Sequence, residues 1–256
     1  MSDHILLSEA DAILTIQINR PDKRNALTAK MYATIADALE NAATNPKIRV
    51  VFITGTTDCF TSGNDVVDFM QNPPPDEHSP VMRFLHNLST FKKPVVAAVN
   101  GPAVGVGTTL LLHCDLIYAA ESTVFQAPFV SLGLCPEAAS SYLLPTLIGL
   151  PKAAEILMLG ESFDAQTALS YGLINAVFPD EEYRQLAYAK AKKLAAQPAK
   201  GLRLTKHLLR NAHAELVKKT MNEEGEHFKT MLQSPEATEA MSAFLQKRKP
   251  DFGQFE

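Results

Sequence analysis

The stretch Val95-Val96-Ala97-Ala98-Val99-Asn100-Gly101-Pro102-Ala103-Val104-Gly105-Val106-Gly107 runs from an unbroken apolar segment, through a Gly-Pro turn, into the apolar residues Gly107 to His113, which read as a helix. A short apolar run rich in valine and closed by turn residues fits a strand buried on both faces. The turn that follows delivers the chain into a helix, so the amides of Val106 and Gly107 lie at the positive end of the helix dipole, where an oxyanion is stabilised. The same glycines equally serve a tight turn and close packing with no ligand. Neither GxGxxG nor GxxxxGK is present, so a nucleotide loop is unsupported.

Outward from this stretch the same unit recurs. Ile13-Leu14-Thr15-Ile16-Gln17-Ile18 reads as a strand, stopped by Asn19-Arg20-Pro21-Asp22 and followed by helix formers from Ala26 to Ala43. Val50 to Thr54 is a second strand; after it come the polar loop Gly55 to Asp65, a mobile-looking Pro73-Pro74-Pro75-Asp76 segment and the helical Pro80 to Thr90. Leu116-Ile117-Tyr118-Ala119 begins a further unit. Strands alternating with helices predict an α/β architecture. Past Phe178 the segments Glu181 to Gln197, Ala199 to His213 and Ala214 to Leu232 are rich in Ala, Leu, Lys and Glu with no strand between them. Their apolar stripes need a cover, either the core or a neighbouring copy.

Composition narrows the function. The chain has 256 residues, 46% hydrophobic and 20% charged, enough to bury a sizeable core. A formal net charge of -4 provides no global basic field for nucleic acid. Cys59, Cys114 and Cys135 form no CxxC pair, the histidines have no metal-ligand spacing, and no GxSxG elbow offers a nucleophilic serine, so neither a disulfide framework, a metal site nor a triad is expected. Met1 to Ala12 matches neither a signal nor a transit peptide, no segment approaches a membrane span, and Gln254-Phe255-Glu256 is not the peroxisomal tripeptide; a cytoplasmic protein is the expectation.

Chemistry can sit on three segments: Phe60-Thr61-Ser62-Gly63-Asn64-Asp65, the turn from Asn100 to Gly107, and Leu132-Gly133-Leu134-Cys135-Pro136-Glu137-Ala138-Ala139-Ser140-Ser141. Pro136 suits the first position of a helix, and Glu137 in a first turn is favoured by the dipole whether or not it reacts. Against that, Glu137 is the only acid between Ser122 and Lys152, among Phe125, Phe129, Val130, Leu132, Leu134, Tyr142 and Leu143. A lone carboxylate in apolar surroundings has its pKa raised toward that of a general base working near neutrality. His113, on an apolar helix, reads as a satisfied core histidine.

Together, in this order, these segments resemble the crotonase (enoyl-CoA hydratase/isomerase) superfamily over nearly the whole chain. Arg20-Pro21-Asp22-Lys23-Arg24-Asn25-Ala26-Leu27 looks like the family segment that lies along CoA, Phe60 to Asp65 like its first oxyanion turn, and Asn100 to Asp115 like its signature; Phe244 to Phe252 is also similar. The resemblance implies a spiral of strand-strand-helix turns over residues 1–197 and a helical region, 198–256, that builds a homotrimer or a dimer of trimers. It implies an acyl-CoA thioester substrate with no separate cofactor and no metal. The oxyanion amides fall on Asn64 and Val106. Lys23, Arg24, Ala26, Ser62, Asp65 and Gly105 are implied to line the CoA thioester, and Phe129 and Tyr142, with Phe125 and Leu143, the acyl pocket, a core role for these four being equally open.

The departures bear on the reaction. Where a family hydratase carries its two water-holding glutamates, this chain has Thr109 and Phe129. Glu137 instead stands in a Leu-Gly-x-x-Pro-Glu-x-x-Ser-Ser context similar to the peroxisomal type of Δ3,Δ2-enoyl-CoA isomerase, where one glutamate is the base. Three readings stay open beside it: another enoyl or dienoyl-CoA isomerisation, a non-catalytic acyl-CoA-binding module, and a hydratase using Glu121 or Asp68.

Overall fold

The computed structural model describes residues 4–72 and 78–255, so the proline segment at 73–76 lies outside the described residues. The chain opens with β1 (Ile5–Ala10) and β2 (Ile13–Ile18), an antiparallel hairpin, then α1 (Ala29–Thr44), capped where the Thr28 side chain accepts from the Met31 amide. There follow β3 (Val50–Thr54), α2 (Val66–Gln71), α3 (Pro80–Ser89), β4 (Val95–Val99), β5 (Pro102–Val104), α4 (Val106–Thr109), β6 (Leu116–Ala120) and β7 (Val124–Gln126). After these come α5 (Ser140–Ile148), α6 (Leu150–Ala154), β8 (Phe163–Asp164), α7 (Ala165–Ser170), β9 (Ala176–Phe178), α8 (Tyr183–Ala195), α9 (Ala199–Asn211), α10 (Ala214–Met231) and α11 (Pro235–Leu245).

The apolar runs read as strands form one six-stranded sheet in the order β1-β2-β3-β4-β6-β9, parallel from β2 onward. Because side chains alternate faces, Val51, Ile53, Val95, Ala97 and Val99 join the main core, while Val50, Phe52, Val96 and Ala98 face α8. Both faces are covered, which is why these strands are apolar at every position. The helix α8 meets its face through Tyr183, Ala187, Ala191 and Ala195, a four-residue spacing of mostly small side chains that lets the helix lie close to the sheet.

A second sheet, in the order β5-β7-β8, runs beside the first. It arises because β4 and β6 are each followed at once by a short strand, β5 and β7, and Thr61 bridges Ala103 at the equivalent place after β3. This repeating strand-strand-helix step is the spiral that the resemblance implies. It brings the turn after β3 and the turn after β5 to the same end of the molecule. The helix expected from Gly107 to His113 is α4 tightened into a 3-10 turn over Leu110–His113. The hairpin strand β1 gave no sequence signal, since only Ile5 of Ile-Leu-Leu-Ser-Glu-Ala is buried.

The C-terminal helices fold back on their own chain. Asp115, at the foot of β6, accepts from Lys206 Nζ at 2.7 Å and Arg210 Nε at 3.0 Å, pinning α9. Met221, Glu224 and Phe228 of α10 are buried, whereas Leu204, Leu208 and Leu209 of α9 are 57%, 68% and 74% exposed. The core thus covers the stripe on α10 and leaves that on α9 open. Among the described residues no helix is long and apolar enough to cross a membrane.

Candidate active site

The turn after β3 is held by a buried asparagine. Asn25 donates through Nδ2 to the carbonyls of Cys59 and Phe60, accepts the Arg20 amide at 2.7 Å through Oδ1, and receives the Thr61 hydroxyl on its own carbonyl at 2.8 Å. Asn64 then makes a parallel bridge with Leu27, in which Leu27 donates to Gly63 O and Asp65 donates back to Leu27 O. In that pattern the N–H of Asn64 itself points away from the bridge. The second turn supplies Val106 as the first residue of α4, with Gly105 at φ 57° before it and its amide an orphan of the helix start. Among the described residues neither amide meets a protein acceptor. The turns touch through glycine: a Cβ on Gly63, which sits at φ +91°, would fall 2.9 Å from Val104 O, and one on Gly107 2.6 Å from Thr61 Cγ2.

Glu137 reaches this place from a different element. It precedes α5 and does not lie in its first turn, so the dipole explanation of Pro136 and Glu137 is set aside: the helix begins at Ser140 because Ala138 and Ala139 are both left-handed, at φ 58° and 56°. Such residues cost about 1–2 kcal/mol each and need outside support. His113 Nε2 lies 2.8 Å from Ala138 O, and Glu224 Oε2 accepts the Ala139 amide at 2.6 Å. Glu224 Oε1 also takes the Ser141 amide at 2.9 Å and its hydroxyl at 2.5 Å, capping α5 from a distant helix. Burial lowers the His113 pKa to about 4, so the imidazole is neutral and Nε2–H is the donor.

The Glu137 carboxyl is buried, with Thr109 Oγ1 3.5 Å from Oε1. Its pKa is pushed up to about 8, first by burial and then by the charge of Glu224, against the Thr109 hydroxyl. Tyr32, on α1, donates to Asn64 Oδ1, and burial followed by the charge of Glu137 holds its phenol well above the ordinary range. Glu137 is thus joined to Thr109, in the helix that Val106 begins, and through charge to Tyr32, which holds Asn64. Glu137 also lines a cavity of about 200 Å³ whose apolar wall is Phe69, Val81, Met82, Leu85, Met221 and Phe228.

The four residues left open from sequence between acyl pocket and core do not line this cavity. Phe125 is stacked on Phe163 in the second sheet, Phe129 lies behind the wall with its ring edge-on to Phe228, and Tyr142 bonds His213 Nδ1 at 2.6 Å outside the cavity; Leu143 lines a neighbouring groove. Asp65 caps α2 through the Val67 and Asp68 amides and pairs with Arg20 at 2.7 Å; burial opposes its ionisation, yet the Asp68 amide and Arg20 hold its pKa low. Lys23 and Arg24 are exposed, and Ser62 donates its amide to Arg24 O, so this basic pair borders the first turn. Ala26 lies in the same segment, its carbonyl bonded by Arg20. Of the other acids weighed, Glu121 is exposed and Asp68 accepts the Ala29 amide, so neither faces the cavity. Tyr32, Glu224 and the wall of α2, α3 and α10 gave no sequence signal, since none of them is part of a motif. Among the described residues no group of three His, Cys, Asp or Glu could hold a metal ion.

Comparison with known proteins places these features in context. Residues 8–255 match the family described as "Enoyl-CoA hydratase/isomerase". The chain is 37% identical to enoyl-CoA delta isomerase 2 of Rattus norvegicus over 97% of its own length and spans 65% of that relative. It is 33% identical to 2,3-dehydroadipyl-CoA hydratase of Escherichia coli (strain K12), covering 97% of this chain and 98% of that one. The crystal structure of enoyl-CoA hydratase/isomerase from Pseudoalteromonas atlantica T6c superposes with a TM-score of 0.93 at 40% identity, covering 98% of this chain and 100% of that one.

Proposed function

This chain belongs to the enoyl-CoA hydratase/isomerase family, and from that premise we propose that it is a Δ3,Δ2-enoyl-CoA isomerase with Glu137 as its proton shuttle. The observation that carries the reading is the site's single reactive carboxylate. Among the described residues Glu137 is the one buried acid on the cavity wall, and Thr109 and Phe129 stand where a hydratase of the resembled type has its glutamates. Glu224 cannot replace them as a holder of water, because both its oxygens are taken by Ala139 and Ser141.

In this reading the thioester oxygen lies between the amides of Asn64 and Val106. Ionised Glu137 removes a proton from C2 of a 3-enoyl-CoA, the negative charge passes to the thioester oxygen as a dienolate, and the same carboxyl returns the proton at C4. The double bond moves from C3 to C2 and no atom is gained or lost. Each oxyanion donor contributes about 3–4 kcal/mol in the transition state, and proton transfer by a positioned group about 10²–10⁴ in rate. Lys23 and Arg24 meet the CoA phosphates at the rim of the first turn, and the exposed leucines of α9 join copies into a homotrimer or a dimer of trimers.

The test is turnover of trans-3-hexenoyl-CoA by the wild type and Glu137→Gln, followed by the absorbance of the conjugated product. Conversion by the wild type that collapses in the variant supports the reading. A folded wild type that binds CoA esters without converting them overturns it.

A further inference from the structure

We propose that Glu224, on α10, is the positioning residue of the active-site base: it fixes the left-handed turn that aims Glu137 and places a second carboxylate behind it. The inference rests on the reading of Glu137 as the base. It starts from one peptide group, the Ala138–Ala139 bond, whose two ends are both gripped. His113 holds the carbonyl and Glu224 the N–H, at 2.8 Å and 2.6 Å. Gripping both ends fixes ψ of Ala138 and φ of Ala139, the rotations that would otherwise release two non-glycine residues from the left-handed region. Ser140 closes the turn by donating to Glu137 O at 3.0 Å, so the backbone bearing the base moves with that peptide.

Burial raises the pKa of Glu224, while the Ser141 hydroxyl and the Ser141 and Ala139 amides, all turned to its two oxygens, oppose that rise and favour the carboxylate. Its charge opposes ionisation of Glu137. The other titratable groups facing Glu137 are Tyr32 on α1, the neutral His113 behind the turn, Cys135 two residues away, and Glu226 and Lys229 at the cavity mouth on α10; α2 and α3 contribute only apolar side chains. A carboxylate with raised proton affinity is the stronger base once ionised, and suits a shuttle that must take a proton and return it. Seating α10 against α5 is therefore what completes the base.

Isomerisation is measured against pH for the wild type, Glu224→Gln and Glu224→Asp, and the Glu137 carboxyl is titrated directly by carbon-13 NMR. In Glu224→Gln the acid limb and the NMR titration both move to lower pH, because a like charge has gone. On its plateau kcat falls about 10- to 100-fold with KM nearly unchanged, because the turn has lost its grip. Glu224→Asp, which keeps the charge on a shorter arm, retains the wild-type limb with reduced kcat, and decides the matter if Glu224→Gln does not fold. A folded Glu224→Gln with limb, NMR titration and kcat at wild-type values overturns the proposal while leaving Glu137 as base. If Glu137→Gln is instead fully active, the base reading has failed, and the positioning role fails with it, whatever the NMR titration shows.

Discussion

His113 and Glu224, from helical segments more than a hundred residues apart, hold opposite ends of the same peptide group, between Ala138 and Ala139. The histidine does so as a neutral donor, its pKa lowered from 6.5 to about 4 by burial. In the unfolded chain it takes up a proton as soon as the pH falls below its ordinary value. Stability contributed by the neutral ring is therefore full above about pH 6.5 and lost as the pH drops toward 4, to a total of about 3 kcal/mol. Urea midpoints should show this acid loss in the wild type and a flatter profile in His113→Asn, which retains an N–H donor but does not titrate.

Glu137 has the opposite sign. Its folded pKa of about 8 lies above the ordinary 4.5, so the folded state keeps its proton where the unfolded chain has released it. Stability falls as the pH rises from about 4.5 to 8, by about 5 kcal/mol when fully developed. Glu137→Gln is expected to be less active but more stable than the wild type at pH 9, with the gap closing near pH 4. In the wild type kcat/KM should climb to a plateau above about pH 8, since only ionised Glu137 accepts the proton. Equal stability of the two proteins at pH 9, or a rate profile flat from pH 6 to 9, would contradict this.

Gly63 allows the turn after β3 to approach the turn after β5. A methyl group there would meet Val104 O at 2.9 Å in a backbone conformation, φ +91°, that alanine resists. Gly63→Ala should displace the Asn64 amide and lower kcat by about 10²–10³. Fluorescence titration with a CoA thioester that cannot isomerise should show binding weakened far less than kcat.

Asp115 is the tether of α9. Removing its charge leaves Lys206 buried beside Arg210 with no acid partner among the described residues, and Asp115→Asn should destabilise the protein by about 3 kcal/mol. Hydrogen exchange should speed up first in α9. Unchanged urea stability would show that the carbonyls of Lys93 and Cys114 suffice to hold the two cations.

Much of this site is legible along the chain because its parts are local. Gly63, Gly105 and Gly107 announce turns where backbone must come close or adopt φ above zero, and the apolar runs at Val50 and Val95 announce strands covered on both faces. Glu137 stands out as the one acid in a long apolar stretch. Glu224 does not, since it sits in Asn-Glu-Glu-Gly-Glu between the exposed Glu223 and Glu226, and only the phase of α10 against α5 turns it inward. The sequence leaves Phe129 and Tyr142 open between pocket and core for a related reason: an aromatic side chain looks the same in sequence whether it fills core, backs a cavity wall or reaches across to another helix.

What the sequence by itself determined is the set of chemical groups, two turns rich in glycine and one isolated carboxylate, and the alternation of strands and helices that makes an α/β fold, since these follow from backbone sterics and side-chain periodicity within a few residues. Only the tertiary structure decided what those groups can do. The proton affinity of Glu137 depends on which atoms exclude water from it and which charge lies behind it, and both come from helices distant in the chain.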